Sequence, residues 1–260
     1  MQEIFRIENL IKEYIYNKKR KRKTVALNNV SLKIYSGSTT AIVGESGSGK
    51  STLCQILAGL EDGYGGKVFY NGDNIKKKSK TIDYKKKVQI IFQNPFDSFD
   101  PMWDVKDSLL EIVGYHKLTE KGQEMEYIKS FVRACELDEE LLSKRPNQLS
   151  GGQLQRLSIA RVLCLRPKVI IADEILTALD VSVQSKVIQL LKDLHNSNDF
   201  TLIFISHDLN TVRKIADRIV VMKDGEIVED NDIKSIFTSP KMEYTKILID
   251  ARPKFDVENI

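Results

Sequence analysis

The sequence predicts an α/β protein with a mostly parallel central sheet, an N-terminal antiparallel β subdomain and an inserted α-helical subdomain. Three observations predict it. Runs that are nearly all apolar, Ala41-Ile42-Val43, Val169-Ile170-Ile171-Ala172 and Leu202-Ile203-Phe204-Ile205, suit strands buried on both faces. Helix-patterned segments around 150–165 and 182–195 alternate with the later runs, as in parallel sheets. Each run ends in glycine or polar residues, Gly44-Glu45, Asp173-Glu174 and Ser206-His207-Asp208, which places ligands at the carboxyl ends of the strands.

In chain order, stretches 4–9 and 26–34 are strand-like and flank the basic run Lys18-Lys19-Arg20-Lys21-Arg22-Lys23. That pattern predicts a hairpin with a long charged loop, forming a small antiparallel edge subdomain. No aromatic residue interrupts the basic run, so a solvated loop is the better reading than a nucleic-acid patch. Residues 38–43 form the next strand, 44–51 a glycine loop, and TLCQILAGL a helix. Residues 104–145, with SLLEIVGY and EYIKSFVRACEL, carry helical patterns, many charges and no strand signal, which predicts an inserted lobe. From Asn231 an amphipathic helix is followed by KMEYTKILIDARPKF.

Composition narrows the class. A chain of 260 residues with 42% hydrophobic and 29% charged residues is neither disordered nor fibrous. Lys and Arg total 40 against 36 Asp and Glu, and a net charge of +4 does not by itself imply nucleic acid. Cys54, Cys135 and Cys164 lie far apart with no CxxC pair, pointing to a reducing compartment rather than a disulfide framework or zinc site. His116 and His195 lack partner ligands. The N-terminus has acidic residues where a signal peptide needs a basic region, and no window reaches the roughly 18 apolar residues of a membrane span. A cytosolic chain is expected, with any membrane link made through partners.

The chemistry concentrates in a few motifs. Gly44-Glu45-Ser46-Gly47-Ser48-Gly49-Lys50-Ser51 fits G-x-x-x-x-G-K-[ST], whose glycines let backbone N–H groups wrap a phosphate at a helix N-terminus. Lys50 is expected to reach the β- and γ-phosphates, Ser51 a Mg²⁺ ion, with Thr52 beside it. Asp173 fits the carboxylate that holds Mg²⁺, and Glu174 can polarise an attacking water. His207 can contact the γ-phosphate or position that water. Leu149-Ser150-Gly151-Gly152-Gln153 precedes a helix expected to begin near Leu154; a plain N-cap explains Ser150 equally well in isolation.

The combination of LSGGQ, then LQRLSIARVL, then the Asp173 strand and DEILTALD, resembles the ATP-binding subunits of ABC transporters over nearly all 260 residues. The resemblance implies a P-loop ABC ATPase fold in one cassette, residues 1–260, with the helical subdomain at about 95–165 and a family-specific tail at about 231–260. It implies that Tyr14, with Tyr16 as alternative, stacks on adenine. It implies that Gln93 links Mg²⁺ and water to the helical lobe. Thr177-Ala178-Leu179-Asp180 resembles the loop whose Asp180 communicates across a subunit interface. It also implies a head-to-tail pair in which each ATP lies between the glycine loop of one chain and Ser150, Gly151, Gly152 and Gln153 of the other. The implied partners are a second ATPase subunit, two membrane permeases at the cytoplasmic face and an extracellular solute-binding protein, with no nucleic acid.

The patterns VGESG, FQNPFDSFDP and IFTSPKMEYTKILIDARP resemble the peptide and nickel importer group, which leaves a peptide, nickel or a metallophore as cargo. Two departures stand out. Ile175-Leu176 replaces the family's Pro-Thr, and Lys241-Met242-Glu243 replaces its usual His-Pro. The alternative, a non-transport ABC ATPase acting on nucleic acid or the ribosome, would need a long coiled coil before LSGGQ or two cassettes in one chain.

Overall fold

A computed structural model describes residues 2–17, 22–177 and 179–251. The N-terminal hairpin pairs β1 (Glu3–Asn17) with β2 (Arg22–Tyr35). Then come β3 (Thr39–Val43), α1 (Lys50–Leu57), β4 (Gly65–Tyr70), β5 (Asp73–Asn74), α2 (Ile75–Lys78), α3 (Ile82–Lys87) and β6 (Val88–Ile91). The lobe supplies α4 (Val105–His116), α5 (Glu124–Ala134) and α6 (Gly151–Cys164). The chain closes with β7 (Val169–Asp173), α7 (Val181–Ser197), β8 (Thr201–Ile205), α8 (Leu209–Ile215), β9 (Arg218–Lys223), β10 (Glu226–Asp232), α9 (Ile233–Thr238) and α10 (Glu243–Asp250).

The large sheet has the order β10-β9-β3-β8-β7-β6, parallel throughout except for the β9–β10 pair. Every residue of β3 and β8 is buried, as their apolar runs require. Because successive strand residues face opposite sides, the two faces feed two cores. Ala41, Val43, Ala172, Phe204 and Val221 pack with residues of α4 to α8, while Ile42, Ile171, Ile203, Ile205 and Met222 pack with α1 and the antiparallel sheet β2-β1-β4-β5.

This corrects the expectation of an edge subdomain. A parallel sheet that is apolar on both faces needs two covers, and the N-terminal sheet is one of them, lying across a face. Its hairpin strands also run further than stretches 4–9 and 26–34, with pairs such as Glu13↔Val25 and Tyr14↔Thr24 continuing the ladder past irregularities near Asn9. Residues 18–21, most of the basic run, lie outside the described residues, as does the end of the tail from residue 252.

Phe5 is fully buried, with its ring 5.3 Å from that of Tyr70. Phe5→Ala is expected to lower unfolding stability by about 3–5 kcal/mol through the cavity it opens, measured by urea denaturation.

Candidate active site

The site forms at the carboxyl ends of β3, β7 and β8, where Ile42 and Asp173 both register with Ile205. The glycine loop leaves β3 and opens α1. A Cβ on Gly44 would lie 2.1 Å from the Met222 carbonyl oxygen, and one on Gly49, at φ +100°, 2.4 Å from that of Ala26. Both glycines are thus required by close backbone approach from β9 and β2. Ser48, buried, accepts the Gly225 N–H at its carbonyl, while Glu45, Ser46 and Gly47 form an exposed rim.

Lys50 is 4% exposed, and its ammonium donates to the carbonyls of Gly44 and Glu45, both at 2.8 Å. Burial pulls its pKa below the usual lysine value, against the opposing pull of Glu174 and Asp173. A polyphosphate would give this ammonium a stronger, charged partner than two carbonyls. Ser51, next in α1 and followed by half-buried Thr52, donates its hydroxyl to Asp173 Oδ1 at 3.2 Å. Burial pushes the Asp173 carboxyl above the ordinary range, helped by Glu174 and opposed by the Ser51 bond and Lys50. A hydroxyl and a carboxylate brought together in this way are hard oxygen donors that fit Mg²⁺. Gln93, just past β6, is brought instead to Thr177, donating its amide to Oγ1 at 3.3 Å.

Glu174 takes the left-handed conformation at φ +48°, which costs a non-glycine residue roughly 1 kcal/mol. Its N–H donates to the Ile205 carbonyl and its carbonyl accepts the Thr177 hydroxyl at 3.0 Å, so the turn is held from both sides. The turn carries Oε2 to 3.6 Å from His207 Nδ1. Beyond β8, Asp208 donates its N–H to Ser206 Oγ and caps α8 by accepting from Asn210 and Thr211, which fixes the backbone around His207.

Ile175 and Leu176 are 1% and 7% exposed and join the helical core. Gln184 donates its amide to the carbonyls of Leu176 and Leu179, each at 2.9 Å, closing this loop without a proline. Spacing alone gave no signal for Gln184. Ala178 lies outside the described residues, and Asp180 is exposed at the start of α7.

Ser150 and Gln153 make a reciprocal capping box, so α6 begins at Gly151, earlier than the start near Leu154 that the sequence predicts. A Cβ on Gly152 would lie 2.6 Å from Val183 Cγ1, and one on Gly151 3.6 Å from Leu179 Cδ2. The LSGGQ segment therefore leans on α7 and the loop before it. Tyr14 is held elsewhere: its hydroxyl donates to Glu61 Oε2 at 3.1 Å, beyond the far end of α1, and Lys12 sits 4.9 Å over its ring. The side chain of Tyr16 lies outside the described residues.

A glycine loop opening a helix after β3, with acids at the end of β7, the parallel strand on the far side of β8, defines a P-loop nucleotidase. Residues 27–177 match the family model described as ABC transporter. An oligopeptide transport ATP-binding protein of Bacillus subtilis is 39% identical over 232 residues, covering 88% of this chain and 76% of that protein. A dipeptide transport ATP-binding protein of Lactococcus lactis is 37% identical over 260 residues, covering 98% and 83%. Among solved structures, a dimeric ATP-binding cassette in a post-hydrolysis state bound to ADP and Pi superposes with a TM-score of 0.77 at 30% identity, covering 88% of this chain and 98% of that one. The chain belongs to the ABC transporter family, and it is an ATPase.

A carboxyl whose folded-state pKa lies above its unfolded value destabilises the fold as pH rises through that interval. Asp173→Asn removes the burdened charge. It is expected to melt higher than the parent at about pH 7.5 without nucleotide, with the gain vanishing below about pH 3, where the carboxyl is protonated in both the folded and the unfolded state. Thermal unfolding at the two pH values measures it.

Proposed function

We propose that this ATPase powers the import of peptides through two membrane permeases, working as one half of a head-to-tail pair of cassettes. The observation that carries the reading is the row of Lys50, Ser51, Asp173, Glu174 and His207 along one strand-end edge. The N–H groups of the loop from Gly44 to Thr52 wrap the phosphates of ATP, and Lys50 neutralises them. Ser51 and Asp173 would hold Mg²⁺, with Gln93 reaching it from its place beside Thr177, and the ion would supply charge neutralisation to the polyphosphate. Glu174 takes the proton of the attacking water, and His207 holds it in line. Tyr14 stacks on the adenine once released from Glu61.

Ser150, Gly151, Gly152, Gln153 and Asp180 serve the partner cassette: a second helix N-terminus on the γ-phosphate makes ATP an adhesive between subunits, and hydrolysis releases it. The whole chain, residues 1–260, acts as one cassette with its lobe at about 95–165 and its tail at about 231–260. Among the described residues no helix is long and apolar enough to cross a membrane. The chain binds peripherally at the cytoplasmic face through its lobe, and an extracellular solute-binding protein delivers the cargo.

The relatives named above are oligopeptide and dipeptide transport proteins, which supports a peptide cargo and lends nothing to nickel. The rival on nucleic acid has no support either, since the described helices between the glycine loop and LSGGQ reach at most 12 residues.

Glu174→Gln is expected to keep ATP binding and to lose turnover by about 10²-fold or more, followed by phosphate release. In cells carrying that variant as the sole copy, uptake of a labelled oligopeptide is expected to stop while nickel uptake continues. Persisting turnover would overturn the role of Glu174, and loss of nickel uptake alone would overturn the peptide cargo.

A further inference from the structure

We propose that Tyr244, in the C-terminal tail, is a positioning residue for the phosphate-binding loop, so that docking of the tail sets how tightly the loop holds ATP. The N–H of Glu45, the loop's second residue, donates to the Tyr244 hydroxyl at 3.2 Å across 199 positions of sequence. The carbonyl of that same Glu45 accepts the Lys50 ammonium at 2.8 Å. The residue is therefore held at both ends, by the tail on one side and by the phosphate-binding lysine on the other.

The tail is clamped for this purpose. Glu229 on β10 is 8% exposed and accepts the N–H groups of Lys241 and Met242, at 2.9 and 3.1 Å, as the chain enters α10. Burial pushes that carboxyl up, but the Lys241 N–H, the nearby Thr245 hydroxyl, the Met242 N–H and the Lys241 charge together outweigh it and leave its pKa below the usual glutamate value. Lys223 at the end of β9 sets its ammonium 4.8 Å over the Tyr244 ring, and the adjacent Met222 carbonyl is the atom that crowds Gly44. One strand end thus braces the first loop glycine and the tyrosine that bonds the residue after it. Glu243 opens α10, where a first-turn residue needs no intrahelical N–H partner and an acid favours the helix dipole, so this departure from the usual proline keeps the tail's geometry.

The inference rests on the assignment of residues 44–51 as the phosphate site. Tyr244→Phe in the full-length chain keeps the ring over Lys223 and removes only the hydroxyl. It is expected to raise KM for ATP about fivefold, the worth of one hydrogen bond, with kcat changed less than about twofold. The melting midpoint is expected to move by less than about 3 °C, while the Glu45 amide exchanges its hydrogen faster. Glu229→Gln, which loosens the clamp, is expected to raise KM in the same direction. Lys50→Ala is measured in parallel by binding of a fluorescent ATP analogue. Should Lys50→Ala lose binding while Tyr244→Phe keeps the parent KM and slow Glu45 exchange, the tyrosine has no positioning role and the phosphate site stands. A fall in kcat and melting midpoint at unchanged KM would likewise overturn the proposal, as a purely structural effect. Retained binding in Lys50→Ala would overturn the phosphate site and this inference with it.

Discussion

Parallel registration of β3, β7 and β8 is the constraint on which the rest of the molecule depends. Ile205 of β8 lies opposite Ile42 on one side and Asp173 on the other, so three strands end level with one another. A slip of one residue would turn each strand's apolar set to the wrong core and carry Asp173 away from Ser51. Burial of every β3 and β8 residue between two cores makes such a slip costly, and the precision of the polar row is inherited from apolar packing. The covers over the two faces, an antiparallel sheet with α1 and a set of helices, are what make that burial complete.

The strand-end row works against the chain's own electrostatics. Burial disfavours the charge on Lys50 and on Asp173 alike, although the two are of opposite sign and close enough to relieve each other in part. Glu174 adds backbone strain at its left-handed turn. Stability given up in this way sits where charge on a ligand can recover it, the usual location of local strain in an enzyme.

Much of this was legible from local chemistry. The glycine loop, the strands ending at Val43, Asp173 and Ile205, and the helices of the lobe announce themselves through periodicity and spacing within a few residues. What escaped has non-local causes. β10, EIVEDND, is a polar edge strand whose only ladder partner among the described residues is β9; β4, GGKVFY, opens on three exposed residues and β5 has two residues, so neither shows a long apolar run. The hairpin strands outrun their apolar cores because ladder pairing carries polar residues along. The start of α6 moved because the Ser150 and Gln153 side chains reach back to each other's backbone. The contact of Tyr244 with Glu45 depends on the β9–β10 turn and tail folding back, which no window of sequence displays.

The contact between Gly152 and Val183 has a mechanical consequence. With the start of α6 seated directly on α7, and the carbonyls of Leu176 and Leu179 tied to α7 by Gln184, these pieces interlock like meshed teeth. Sliding one past the other would open a void in close-packed apolar surface. A displacement of the loop after β7 would then carry the start of α6 and α7 along as one wedge rather than let them slide past one another.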